Sequence, residues 1–171
     1  WGRLYSELYE QNKDKLNHIA DSLWSIKEQN DLNRFDFSNM ITCFVQDIPY
    51  VYVLPEGYAC DEQDDASADC LENVKYGILS PVEFLHTLKG DCDTRTVLLY
   101  TLFKQFNYSP KIAVSDFYAH SVLLLDIPAT GDYLTIDNKR YYFWETTAAG
   151  WQAGILPPGS DDISKWEIAL F

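Results

Sequence analysis

Cys92 stands in Gly90-Asp91-Cys92-Asp93-Thr94-Arg95, immediately ahead of Val97, Leu98, Leu99, Leu102, Phe103 and Phe106. Apolar residues at i, i+3 and i+4 predict an amphipathic helix, which places the thiol at a helix N-terminus. Unpaired backbone N–H groups and the positive end of the helix dipole favour a thiolate there, and the thiolate is the nucleophile. The other reading of the same residue is a small buried hydrophobe. Two later residues favour the reactive reading. His120 opens the apolar run Ser121-Val122-Leu123-Leu124-Leu125, and Glu145 closes the aromatic run Tyr141-Tyr142-Phe143-Trp144. Both runs read as strands. Between them lie Tyr133-Leu134-Thr135-Ile136 and the turn-forming pair Asp137-Asn138, so an antiparallel meander would return Glu145 to His120. A carboxylate on one imidazole nitrogen fixes the tautomer and turns the other nitrogen toward the thiol.

Taken together, Gly90-Asp91-Cys92-Asp93, Ala119-His120-Ser121-Val122 and Trp144-Glu145-Thr146-Thr147 resemble the transglutaminase-like core of the papain-like thiol enzymes. The resemblance extends upstream to Phe44-Val45-Gln46-Asp47-Ile48-Pro49-Tyr50 and covers about residues 40 to 157. It implies that Cys92 attacks an acyl carbon, His120 is the base and Glu145 orients it, where the family more often has Asp. It also implies that Gln46 donates a side-chain N–H to the oxyanion, beside the backbone N–H of Cys92. Read without the resemblance, Gln46 is a surface polar residue ending a helix before Pro49.

The elements that must position these groups follow from patterning. Leu4, Leu8, Leu16, Ile19, Leu23 and Ile26 predict one or two amphipathic helices over residues 3 to 30. Residues 36 to 47 read as another helix, stopped by Pro49, with Phe35 and Phe37 as candidate staple residues. Ser80-Pro81-Val82-Glu83 carries Ser at the N-cap, Pro at the first helical position and Glu at the third, which is a capping box. Lys111-Ile112-Ala113-Val114-Ser115 opens a strand-rich second half. The expected architecture is α+β, a papain-like, transglutaminase-like core with the nucleophile helix packed on an antiparallel β-sheet. One domain is expected over residues 1–171, with an N-terminal helical segment (1–35) ahead of the core (36–171).

Near the C-terminus, Gly150-Trp151-Gln152-Ala153-Gly154 follows the acid, and Trp144 with Trp151 would wall a cleft for an extended chain, or pack as a terminal loop. His86, on the short helix before the thiol, is expected to be partly buried and structural, and His18 to be solvated. Asp91 suits an N-cap, but with Asp93 it sets two anions beside the thiol, which opposes the helix terminus. Arg95 would offset them.

Composition narrows the partners. A net charge of -13, without a basic stripe, argues against nucleic acid. Nucleotide cofactors have no support in the absence of a Gly-x-Gly-x-x-Gly string, and no cofactor is expected. No run reaches the roughly 18 apolar residues that span a bilayer, so this segment itself is expected to make no membrane contact. The chain begins at Trp1 and its sole methionine is Met40, which reads as a processed or excised piece of a longer protein. Other domains of that protein are possible partners. Cys60 and Cys70 flank an acidic stretch with nine residues between them, and pairing them would restrain that stretch. Such a pair points to an extracytoplasmic setting. Cys92 would stay free and Cys43 would serve as buried packing. No Cys-x-x-Cys pair suggests a zinc site, and the acidic stretch lacks the glycine and ligand spacing of a calcium loop.

Two functions are consistent with this reading. One is thiol-dependent acyl chemistry on a peptide or protein substrate, either hydrolysis by a cysteine protease or amidase, or transfer to an amine by an acyltransferase. The other is a non-catalytic module that keeps the fold and binds a peptide or an adjoining domain.

Overall fold

A computed structural model describes residues 1–62 and 69–171 as a mixed α+β structure. Most of the acidic stretch between Cys60 and Cys70, which its composition marks as an exposed loop, lies outside the described residues. The N-terminal pattern resolves into α1 (Gly2–Asn12) and α2 (Asn17–Gln29), joined by a 3₁₀ turn at Lys13–Leu16. The tighter turn changes the phase of the apolar stripe. As a result Tyr5 is the fully buried residue of α1, Leu4 and Leu8 are only partly covered, and Ile26 is exposed. The third helix, α3 (Arg34–Gln46), starts two residues earlier than expected because the Asn33 side chain caps it by accepting from the Asp36 N–H. Phe37 enters the core against Trp24 and Phe106, while Phe35 stays exposed beside Trp144.

Helix α4 (Pro81–Thr87) has the capping box read from the sequence, with Ser80 and Glu83 exchanging hydrogen bonds. Leu88, in the left-handed conformation, ends it. Helix α5 (Cys92–Gln105), expected to carry the nucleophile, differs from expectation in its burial. It is buried on all sides from Thr94 to Phe103, where the spacing had predicted one exposed face. Helices α1, α3 and α4 contact it on one side, and the sheet contacts it on the other.

The strands are β1 (Tyr52–Val53), β2 (Cys70–Leu71), β3 (Lys111–Ser115), β4 (His120–Leu125), β5 (Tyr133–Ile136), β6 (Lys139–Trp144) and β7 (Glu167–Leu170). Strands β3 to β7 form one antiparallel sheet in the order β5-β6-β4-β3-β7. The expected meander would place β5 between its neighbours. Instead β5 lies at the edge and β6 folds back against β4. The β5–β6 hairpin closes through Asp137 and Asn138, both with positive φ (49° and 61°), the geometry of a two-residue turn whose twist suits the strands. One sheet face packs Ile112, Leu123, Leu125 and Trp144 onto α5 and the helical core. The other packs Val122, Leu124 and Phe143 under Trp166 and Leu156. Burial on both faces explains why β4 reads as continuous apolar sequence.

The short strands β1 and β2 pair in parallel, and Cys60 and Cys70 form a disulfide beside them. Cys43 is only partly buried, and among the described residues no helix is long and apolar enough to cross a membrane. Closing a ring of this size restricts the unfolded chain by about 2 to 3 kcal/mol in the loop-entropy picture. A Cys60→Ser/Cys70→Ser variant is expected to unfold at a urea midpoint lower by a corresponding amount. Alkylation of the non-reduced native protein should label only Cys43 and Cys92.

Candidate active site

The site is assembled at the N-terminus of α5, where Asp91 is the cap. Its Oδ1 accepts from the Thr94 N–H at 3.0 Å. Gly90, just before it, has no room for a side chain, since a Cβ there would sit 2.9 Å from the Phe84 ring and 2.7 Å from the Thr94 methyl. Cys92 is therefore the first residue of the helix, 7% exposed.

His120 begins β4 directly after Ala119, whose positive φ of 48° turns the chain into the strand. Leu123 pairs with Trp144 in the β4–β6 register, which sets Glu145, one residue further, diagonally from His120. The carboxylate Oε2 lies 2.9 Å from His120 Nε2. Its other oxygen, Oε1, accepts from the Thr146 N–H, the Thr147 N–H and the Thr147 hydroxyl at 2.7–2.9 Å. With Nε2 occupied by Glu145, Nδ1 is the nitrogen left to face Cys92, which is the other group acting on the ring. Thus Cys92, His120 and Glu145, selected from sequence as a set, meet in one cluster.

The electrostatics follow from this geometry. Burial alone lowers the His120 pKa, but the hydrogen bonds to Cys92 and Glu145, with the charge of Glu145, outweigh it and push the value up to about 10. Burial tends to raise Glu145, yet the bonds from His120 and Thr147 win and hold it below its ordinary value. Burial, with Asp93 next to it, pushes Asp91 up to about 7. Asp93 accepts a hydrogen bond from the buried Tyr5 hydroxyl at 2.5 Å.

Gln46 takes neither of its expected places. At 4% exposure it is not a surface residue, and its Nε2 donates to the backbone carbonyls of Glu145 (2.8 Å) and Trp151 (3.1 Å). Both amide hydrogens are engaged, so Gln46 braces the loop behind the acid and has no free donor for an oxyanion. Trp144 also departs from expectation, because it is fully buried in the helical core and walls no cleft. The aromatic wall beside the triad comes instead from the other end of the chain. Trp1 stacks on Tyr5 at 5.7 Å, and both line a cavity of about 220 Å³ that includes Asp93, Asp116, Ala119 and His120. A larger hollow of about 580 Å³ lies at Trp24 and Phe106, at the opposite end of α5 from the thiol. His86 is exposed on α4, where a partly buried role was expected, and His18 is exposed as expected.

Arg95 is the group that sequence reading undervalued. It is fully buried, and it donates to the carbonyls of Gly90 (3.1 Å), Val45 (3.0 Å), Thr146 (3.0 Å) and Ile48. Its position among the apolar residues of α5 was the available signal, since Val97, Leu98, Leu99 and Leu102 follow within two turns. Tyr50 was passed over as well. It bridges to Gly90, and its ring lies 5.4 Å from the Arg95 guanidinium.

Compared with known proteins, the chain matches no family model, no curated protein and no solved structure.

The His120 shift carries a sign. From the ordinary 6.5 to about 10 the folded protein keeps a proton on His120 that the unfolded chain has released. The stabilisation from its two contacts is therefore complete below the lower value and lost above the upper. Urea unfolding from pH 6 to 10.5 should show stability falling across that window. The fall should be shallower in His120→Gln, and equal slopes in the two proteins would contradict the pairing.

Proposed function

We propose that this protein is a thiol-dependent acyl enzyme acting on a peptide or protein substrate, with Cys92 as nucleophile, His120 as proton carrier and Glu145 as its orienting acid. The observation that carries the reading is the 2.9 Å contact between His120 Nε2 and a Glu145 carboxylate held by three further donors, with Cys92 the other group that acts on the ring. Only a ring gripped on one edge presents its other edge to the sulfur in one orientation. The order of the parts, a thiol at a central helix start followed by strands bearing base and acid, also supports the resemblance to the transglutaminase-like, papain-like enzymes.

The reaction would run as follows. The Cys92 thiolate attacks the acyl carbon, forming a C–S bond as the carbonyl π pair moves to oxygen. On collapse of that intermediate the leaving group departs with a proton from His120, giving a thioester. Water, or a primary amine, then attacks the thioester while His120 takes its proton, and the thiolate is released. No cofactor enters these steps. Hydrolysis is the main outcome we propose, because the cavity beside His120 carries Asp93, Ser115 and Asp116 along with its aromatic rings, a lining that water wets. An extracytoplasmic location fits the Cys60–Cys70 disulfide.

Cys92→Ala and His120→Ala are expected to abolish acyl-enzyme formation, read by intact-mass spectrometry after incubation with an activated ester. Glu145→Gln should cost about 10³- to 10⁴-fold. The three donors from Thr146 and Thr147 would keep the amide oxygen in place and turn the amide N–H toward His120 Nε2, selecting the tautomer that cannot accept the thiol proton. Wild-type protein that forms no adduct at Cys92 would favour the binding module, and predominant amine adducts would favour a transferase.

A further inference from the structure

Thiol acyl chemistry needs two hydrogen-bond donors at the carbonyl oxygen as it gains charge. The first is available, because the backbone N–H of Cys92 lies at the helix start, where no earlier turn supplies an acceptor. Gln46 cannot be the second without giving up a bond to Glu145 or Trp151.

The geometry points to the Tyr50 hydroxyl as the second oxyanion donor, an assignment that rests on the acyl-enzyme reading above. Tyr50 is held where such a donor must be. Its backbone bridges to Gly90, and the next residue, Val51, donates its N–H to the Gly90 carbonyl at 3.3 Å, two residues before the nucleophile. Its ring lies over the Arg95 guanidinium at 5.4 Å and edge-on to Tyr52 at 5.8 Å, which fixes the direction of the side chain. Cys92 and Asp91 are among the groups that act on the phenol, which sets the hydroxyl in the neighbourhood of the thiol. The residue is 38% exposed, so the ring forms part of a wall that substrate can reach. Burial of the hydroxyl, with Cys92 and Asp91 close by, raises its pKa, so the phenol stays protonated and able to donate throughout the working pH range.

When a carbonyl is attacked, its oxygen accepts from the Cys92 N–H, and the Tyr50 O–H turns to donate to the same atom. The C–S bond forms as the π pair becomes the oxyanion, which then accepts from both groups. The pair returns to rebuild the carbonyl when the leaving group departs.

Two reactions at Cys92 separate this role from a merely structural one. Acylation by p-nitrophenyl acetate passes through an oxyanion, whereas alkylation by iodoacetamide is a displacement at carbon that develops none at the carbonyl. Tyr50→Phe keeps the ring, its stacking and the fold, and removes only the hydroxyl. Acylation is expected to slow by about 10²-fold in kcat with little change in KM, while the alkylation rate and its pH profile remain those of the wild type. Equal effects on both reactions, or none on acylation, would overturn the assignment. Wild-type protein that alkylates at Cys92 but never acylates would overturn the acyl-enzyme reading itself, and this assignment with it.

Discussion

The buried guanidinium of Arg95 is the constraint on which the rest depends. A cation without solvent is tolerated only when its donors are satisfied, and here backbone carbonyls do so from three separate stretches of chain: Val45 and Ile48 around the end of α3, Gly90 before the nucleophile, and Thr146 after the acid. Each of those stretches carries a site residue within two positions of a bonded carbonyl: Gln46 and Tyr50, Cys92, and Glu145. One rigid fork thereby sets the mutual spacing of groups that come from opposite halves of the chain. Lysine could not do the same, because its ammonium lacks the planar spread of donors that reaches carbonyls on several sides. Burial lowers the pKa of Arg95, and Tyr50, Asp91, Cys92 and Glu145 oppose that shift, so the cation also serves as counter-charge to the site it organises.

Around the thiol the charges are arranged in opposition. The positive end of the helix and His120 stand on one side of Cys92, and the carboxyls of Asp91 and Asp93 flank it in sequence. The structure moderates both acids. Asp93 shares its charge with the Tyr5 hydroxyl, and Asp91, pushed up to about 7, carries only part of a charge at neutral pH. Tyr5 therefore links the N-terminal helix to the residues flanking Cys92 as well as to the cavity wall.

What was legible in the sequence was local. The capping box at Ser80, the cap at Asp91, the two-residue turn at Asp137-Asn138 and the strand runs ending at the base and acid all depend on neighbours within a few residues. Cys92, His120 and Glu145 could be chosen as a set because each sits at the edge of such an element. What escaped depends on distant partners. Gln46 is 99 residues from the carbonyl it braces, Tyr5 is 88 from Asp93, and Arg95 is 47 to 51 from three of its acceptors. No periodicity encodes such pairings. The burial of α5 on every side was hidden for the same reason, since α1 and α3, which cover it beside the adjacent α4, lie far away along the chain. Strand order escaped too, because a two-residue turn fixes which strands form the hairpin but not on which side that hairpin joins β4.

At the start of α1, Gly2 packs so closely on β7 that a methyl group there would come within 2.1 Å of the Ala169 carbonyl oxygen. First and last elements therefore share one small patch of surface. Any sequence continuing on either side would enter and leave at the same point, so the fold could be carried as an insertion in a loop of another domain without stretching its host. Force applied through two such tethers would reach the helix that bears the thiol at once, because α1 packs on α5 and the Tyr100 hydroxyl of α5 donates to the Phe171 carbonyl.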